Sequence, residues 1–343
     1  MKHVSKLSTI AAVLVSVHLI VFCAGFFGPY DYATQDRSYP YAPPMHLHFI
    51  DNNGGFHFRP FVYALVANQN IFGSYTEGKD RIYPVSFLVA GSKYRVFGLF
   101  DCQTHLFSVA SPGRIFLFGT DGYGRDQFTR LLYGGQISLL AGLLATVICI
   151  VTAMSLGGIA GYFGGWVDVV IMRVAELFLA MPWYYLLFAA RAFLPLTITP
   201  LLTFFLVVAT IGLVGWARPA RLIRGVVLSG RERNYVHAAR GFGASPWYLL
   251  RIHILPQAYD VALTQTALLI PQYILAEVAL SFLGLGVTEP TASWGNMLGT
   301  LQQYHVLVSY WWMALPVVML APISFCYYLL ASELRKRSNV VAL

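Results

Sequence analysis

Long apolar stretches separated by short polar ones dominate this chain. Six are long enough to cross a bilayer, at about 8–27, 136–160, 169–191, 199–219, 261–282 and 310–332. A spanning helix needs about 20 apolar residues at about 1.5 Å of rise each. Residues 131–167, 192–217 and 290–332 contain no Asp, Glu, Lys or Arg. The pattern predicts an all-α polytopic membrane protein with six transmembrane helices. Between the first two spans the period changes. Phe56–Val66, Arg81–Ala90 and Tyr94–Phe100 are rich in Val, Phe and Tyr and are set apart by Gly, Asn and Pro. They predict short strands of a small mixed or β-rich domain inserted after the first helix. No internal repeat or low-complexity tract is present.

Composition agrees. Of 343 residues, 57% are hydrophobic and 11% charged, with mean hydropathy +0.61. Soluble domains carry about a quarter charged residues, so a soluble enzyme, a disordered chain and a secreted disulfide scaffold are excluded. The net charge of +8 matters through its placement. With the N-terminus inside and the spans alternating, the inner segments 1–7, 161–168, 217–260 and 333–343 hold 12 Lys/Arg against four Asp/Glu. The outer segment 28–132 holds nine against eight. That asymmetry follows the positive-inside rule and predicts cytoplasmic termini.

Cys23, Cys149 and Cys326 lie in apolar stretches and Cys102 in a polar one, with no C-x-x-C pair. Lys2 and Lys6 precede an apolar run that carries no charge from Leu7 to Tyr30 and has no A-x-A site after it. This predicts an uncleaved first span rather than a signal peptide.

The candidate chemistry is sparse. There is no G-x-x-x-x-G-K-[ST] loop to cradle ATP and no H-E-x-x-H. His46 and His48 with nearby His57 make a weak metal candidate, outweighed by solvated or packed histidines, so no metal site is expected. Ser, His and Asp show no triad spacing. Glu176 and Glu277 fall inside spans, where ionisable groups are costly, and Arg173 shares a helix face with Glu176. These three are expected to be structural anchors, because a proton relay needs a longer chain of such groups. Pro182, Pro219, Pro271 and Pro316, within or near span ends, are expected to be kinks that fit the packing.

The segment 217–257 is the most informative. It runs through Arg218, Arg221 and Arg224, then Tyr235-Val236-His237-Ala238-Ala239-Arg240-Gly241-Phe242-Gly243-Ala244-Ser245, and closes on Leu255-Pro256. Ala238 and Ala239 let a partner approach a short helix. Gly241 and Gly243 break that helix, and Pro246 suits the start of the next. The pattern predicts a helix, a turn and a second helix leading into the fifth span. Such a knob can transmit force between a soluble motor and a helical bundle, whereas an ordinary basic loop would only touch lipid headgroups.

Residues 235–256 resemble the EAA loop of ABC-importer permeases, with His237, Ala238, Ala239, Gly243, Leu255 and Pro256 at the patterned places and His237 replacing the usual glutamate. The segments Phe118–Asp126, Leu131–Leu139, Ala276–Gly286 and Ser293–Leu298 narrow the resemblance to the second permease subunit of the dipeptide, oligopeptide and nickel importers, over about 118–334. It says little about 41–114.

The resemblance implies the six-helix architecture of a type I ABC-importer permease. On it, 1–27 form the cytoplasmic N-terminus and first helix, and 28–118 an extracytoplasmic inserted domain. Residues 119–333 form the permease core with a cytoplasmic coupling loop at 220–257, and 334–343 a cytoplasmic tail. It implies a multi-pass protein of the bacterial cytoplasmic (inner) membrane that is not itself an enzyme. Its partners would be a homologous second permease, two ATPase domains, an extracytoplasmic substrate-binding protein and membrane lipid, with no nucleic acid. No cofactor would bind this chain, ATP and Mg being held by the ATPases. Contact with the ATPase falls to Tyr235, His237, Ala238, Ala239, Arg240, Gly241, Gly243, Ala244 and Ser245, with Leu255 and Pro256 closing the loop. The inserted domain is expected to serve the docking of the binding protein. Two other readings stand beside this one. A stand-alone ion-coupled transporter or channel needs paired intramembrane charges. A membrane enzyme needs a nucleophile facing a base.

Overall fold

A computed structural model describes residues 2–68, 73–96, 100–193 and 199–341. In chain order the helices are α1 (Lys2–Phe22), α2 (Ala24–Phe27), α3 (Gln127–Phe163), α4 (Gly165–Ala180), α5 (Trp183–Ala192), α6 (Pro200–Gly215), α7 (Ala217–Arg231), α8 (Asn234–Gly241), α9 (Pro246–Tyr248), α10 (Tyr259–Phe282), α11 (Trp294–Gly299), α12 (Tyr304–Ser309) and α13 (Leu315–Val341). The strands are β1 (His48–Ile50), β2 (Phe56–Ala67), β3 (Tyr75–Val96) and β4 (Phe100–Val109). The chain divides into two compact units, one of residues 1–14, 139–280 and 320–343, the other of 15–138 and 281–319.

Among the described residues, three helical stretches are long and apolar enough to cross a membrane: 127–163, 246–282 and 311–337. The number is five if each of two bent pairs is one span, and the apolar helix Lys6–Phe22 is shorter.

The expected third span, 169–191, is not one helix. It breaks into α4 and α5, bent by 96°. Pro182 is the cause: a proline disfavours the helical conformation of the residue before it, and Met181 is extended at φ −89°, ψ 141°. The expected fourth span likewise bends by 45° between α6 and α7.

In the first unit α3 packs against α7 through Gly157 and Gly161. A Cβ at Gly157 would run into the Ala220 carbonyl oxygen, and one at Gly161 would meet the Arg224 carbonyl oxygen at 2.9 Å. Two small residues four apart let helix backbones approach this closely. Around that contact Ala153, Ala175, Trp216, Ile223, Val227, Val236, Leu249 and Ile254 form a buried core. Arg224 clamps Asp168 with two hydrogen bonds of 2.5 Å.

The second unit holds an antiparallel sheet in the order β1-β2-β3-β4. β3 is long enough to pair with β2 through its first half and with β4 through its second, with bulges at Tyr63/Ala64 and Ala90/Tyr94. The strand expected at Phe56–Val66 is β2, and Arg81–Ala90 lies within β3. Tyr94–Phe100 is not a separate strand. Its start ends β3, residues 97–99 lie outside the described residues, and Phe100 opens β4, whose apolar and polar positions do not alternate cleanly. The turn before β2 is set by Asp51, whose Oδ1 accepts from the amides of Asn53 and Gly55, both at 2.8 Å. Ala42, Met45, Val62, Val85, Phe107, Ile115 and Phe116 form the core beneath the sheet.

Candidate functional site

The segment after α7 folds into a helix, a tight turn and a second helical run. Val236 is completely buried and anchors α8 in the core, while Tyr235, His237, Ala238, Arg240, Gly241, Phe242, Gly243 and Ser245 are exposed. Ala239 and Ala244 are half-buried against the same core. The amide of Gly243 donates to the Arg240 carbonyl at 3.0 Å and that of Ala244 to the Ala239 carbonyl at 3.1 Å. This pair of bonds defines a Schellman termination, which needs a left-handed residue, and Gly243 supplies it at φ +86°. Gly241, by contrast, is the last helical residue.

The following run starts on its own cap. The Ser245 hydroxyl accepts from the Tyr248 amide at 3.3 Å, and Pro246 occupies the first turn, where its missing N–H costs nothing. Residues 249–254 are then wound as a π-helix and 255–258 as a 3-10 turn before α10. A proline in a regular helix would clash with the carbonyl four residues back and leave it unpaired. The local rewinding before Pro256 lets the chain pass through Leu255, which is half-buried on the core, with Pro256 exposed.

Side chains tie the two halves together. The Tyr235 hydroxyl donates to the His253 carbonyl at 3.4 Å and accepts from the Gln257 amide, which also donates to the His253 carbonyl at 2.8 Å. His237 Nε2 lies 3.7 Å from Glu232, whose carboxyl is held below its usual range first by the hydrogen bond from Arg231. The turn therefore stands out as a braced knob. Its outer surface carries Phe242, 93% exposed, and Trp247, 55% exposed. The sequence reading placed Phe242 inside the contact stretch 235–245 without giving it a role and left Trp247 outside it, although two bulky aromatics in the run Gly241-Phe242-Gly243-Ala244-Ser245-Pro246-Trp247 were a visible signal.

The three candidate intramembrane charges do not come together. Arg173 and Glu176 form an exposed pair on α4 at 2.8 Å, whereas Glu277 is completely buried in α10. Among the described residues no group of three or more His, Cys, Asp or Glu is placed to hold a metal; His48 faces Glu77 and His57 faces Asp51 instead.

A second polar constellation lies in the other unit, in the segment that begins Phe118-Gly119-Thr120-Asp121. Arg125 and Arg130 are 5% and 1% exposed. Arg125 bonds to Asp121 at 2.6 Å and to Glu289 at 2.6 and 3.2 Å, and Arg130 bonds to Glu289 at 2.9 Å. Buried charges are tolerated when paired in this way. Beside them Asp126 accepts from the amide and hydroxyl of Thr129, and burial pushes its carboxyl up to about 6. Asp126 Oδ1, Gln127 Oε1 and Arg130 Nε have no hydrogen-bond partner among the described residues. The sequence reading passed over Glu289, which is 159 and 164 residues from its arginines.

Residues 153–339 match the family described as binding-protein-dependent transport system inner membrane component. The chain is 40% identical over 195 residues to a dipeptide transport system permease protein of Bacillus subtilis, covering 57% of this chain and 59% of that one. It is 36% identical over 186 residues to an oligopeptide transport system permease protein of the same organism, covering 54% and 59%. It is 35% identical over 220 residues to an oligopeptide transport system permease protein of Haemophilus influenzae, covering 64% and 68%. The match thus spans about three fifths of the Bacillus proteins' length.

Proposed function

Because this chain belongs to the family of binding-protein-dependent transport system inner membrane components, we propose that it is the permease subunit of an ATP-driven importer of peptides. The observation that carries this is the braced knob at 234–258. Phe242 and Trp247 expose apolar surface on a rigid turn, the kind of feature that marks a protein contact. Two ATPase domains on separate chains, holding the ATP and Mg, are the partners it fits, while this chain binds no cofactor and is not an enzyme. ATP-driven closure of the ATPases would push the knob. Val236 in the core and the Tyr235–Gln257–His253 brace pass that displacement to α7 and to the helical run 246–282. The bends at Met181–Pro182 and at Trp216 are the places where such a bundle yields between inward- and outward-facing states.

On this reading the chain crosses the membrane six times, α1 and the two bent pairs included, with both ends and the knob in the cytoplasm. The sheet of β1 to β4 lies outside, where it helps the substrate-binding protein to dock. A homologous second permease completes the pathway.

The first test is gentle affinity purification from the native membrane with every accompanying chain identified. A second permease and two ATPase chains, or one ATPase twice, are expected. A chain that purifies alone and transports without nucleotide would overturn the reading in favour of a stand-alone transporter. Deleting 45–112 from an assembled complex is expected to lower uptake delivered by the binding protein; unchanged uptake would remove the sheet from docking.

A further inference from the structure

A cavity of about 470 Å³ opens within the unit of residues 15–138 and 281–319, between the turn after α2, the paired ends of β3 and β4, and the first two turns of α3. Three tyrosines line it, and all three keep some exposed surface. The rings of Tyr32 and Tyr133 meet with centroids 4.9 Å apart. The Tyr94 hydroxyl donates to the Thr104 carbonyl at 2.6 Å, which fixes its ring. Four charged side chains share the wall. Arg95 and Asp101 face each other across the β3–β4 ladder and pair at 3.0 Å. That leaves Asp31 and Lys93, one charge of each sign, without an ion-pair partner among the described residues. Asp31 Oδ1 accepts from the Ala33 amide at 2.8 Å, and its other oxygen has no hydrogen bond among those residues.

The surroundings are those of a membrane boundary. Tyr133 belongs to the long apolar helix 127–163. One turn further along, the Gln136 side-chain amide donates to the carbonyl of Phe22, the last residue of α1, at 3.0 Å. Gly25 of α2 packs so closely on the Tyr94 ring that a Cβ has no room. Along the last two turns of α1, Val15, Leu19 and Ile20 are exposed. Tyrosines gather where apolar helices meet lipid headgroups, because the ring is apolar and the hydroxyl is not.

We propose that this cavity binds a zwitterionic phospholipid headgroup, with its ammonium between Asp31 and the tyrosine rings and its phosphate on Lys93. The inference goes beyond the importer reading and needs only that α3 crosses a membrane. An ammonium is drawn both by a carboxylate and by aromatic faces. A lysine meets a phosphate as a point charge. A purely anionic headgroup would leave Asp31 without a counter-ion. A divalent cation would find one uncommitted carboxylate, the Asp101 group being held by Arg95, and needs more. A soluble zwitterion would satisfy the two charges but make no use of the exposed apolar side of α1, along which acyl chains can lie.

The test uses the assembled transporter in nanodiscs of equal phosphatidylethanolamine and phosphatidylglycerol. Native mass spectrometry counts the lipids that stay on this chain when it is released from the complex. Phosphatidylethanolamine is expected in excess. Asp31→Asn, whose amide oxygen can still accept the Ala33 bond, is expected to lower the ratio of ethanolamine to glycerol lipid about five-fold. Lys93→Gln is expected to lower retention of both lipids and to leave their ratio near the parent's, because both carry the phosphate. Tyr133→Leu is expected to lower the ratio about two-fold. A ratio indifferent to Asp31→Asn would overturn the inference. So would release of the lipid by millimolar glycerophosphoethanolamine or dialanine, which would make this a site for soluble zwitterions. Should Tyr133→Leu fail to assemble, the variants of Asp31, in a turn, and Lys93, exposed on β3, decide alone. Failure of the importer reading is seen separately, as a preparation that lacks ATPase chains.

Discussion

The knob at 234–258 and the charged cluster around Glu289 solve opposite problems. The knob is exposed and keeps its shape through bonds that span no more than 22 positions: the Schellman pair at Gly243, the Ser245 cap and the Tyr235–Gln257 brace. The cluster buries its two arginines and keeps its shape through ion pairs to a half-exposed Glu289 that lies 159 and 164 positions from them. A surface proposed to meet a partner can be built from local turn chemistry, a cap being worth about 1 kcal/mol. A buried pair of arginines cannot, because each uncompensated charge costs several kcal/mol. The two regions should therefore respond very differently to substitution.

The largest effect is expected at Glu289. Glu289→Ala leaves Arg125 and Arg130 with Asp121 as the remaining carboxylate in their ion-pair network. Breaking a buried pair costs about 3–5 kcal/mol. Because Glu289 is itself 46% exposed, water enters readily and about 2–4 kcal/mol is expected. Thermal unfolding in detergent, followed by a thiol-reactive dye, measures it. A loss below about 0.5 kcal/mol would mean that water replaces the carboxylate fully and that the cluster is no clamp.

Asp126 provides the next test, and its sign can be worked out. Burial holds its carboxyl up at about 6 in the folded chain, against 3.8 ordinarily. Between those values the folded state keeps a proton that the unfolded state has lost. The group's contribution is therefore complete below pH of about 4 and disappears as pH rises through about 6. Asp126→Asn cannot titrate. Its stability relative to the parent should rise across that window by about 3 kcal/mol, two pH units at about 1.4 kcal/mol each. Melting both proteins at pH 4 and pH 7 gives the comparison, since other carboxylates act equally on both. A constant difference would place Asp126 in contact with solvent.

This contrast also decides what could be read beforehand. The helix, turn and helix of the knob were legible because glycine, serine and proline stood at positions where local geometry demands them. The apolar runs were legible for the same reason, since a 20-residue stretch without charge has few alternatives. A kink at Pro182 was legible by the same local argument, but not its size, a 96° bend that divides the apolar run 169–191 into two helices. Glu289 was not legible: nothing near it in sequence announces two arginines, and only the folded chain brings them together. The strand Phe100–Val109 was missed because its burial follows its neighbours in the sheet more than its own alternation.

Within the knob, Gly243→Ala sharpens the comparison. The left-handed conformation at φ +86° costs a residue with a Cβ about 1–2 kcal/mol. No atom lies within 4 Å of the Cβ position, so the cost is conformational and not a clash. Global melting should move little, because the knob is a local structure. The coupling ratio, substrate imported per ATP hydrolysed in the reconstituted complex, should fall measurably, and a bulkier side chain should reduce it further. A large drop in melting temperature with unchanged coupling would reverse the roles assigned to the two regions.

The smallest effect is expected at Ser245. Its hydroxyl accepts one bond, at 3.3 Å, from the Tyr248 amide, and both residues are exposed. Replacing a capping serine with alanine costs about 0.5–2 kcal/mol, and the long bond and exposure place this one near the lower end. Water can take over the freed amide, and Pro246 still sets the first turn. Ser245→Ala should therefore speed hydrogen exchange at the amides of 247–249 several-fold while leaving exchange at Val236 unchanged, since Val236 is held by the core and not by the cap. Protection lost equally at both places would mean that α8 and the following run open as one unit. The knob would then be a hinged element, and the force it passes to α7 would depend on the turn as much as on the anchor.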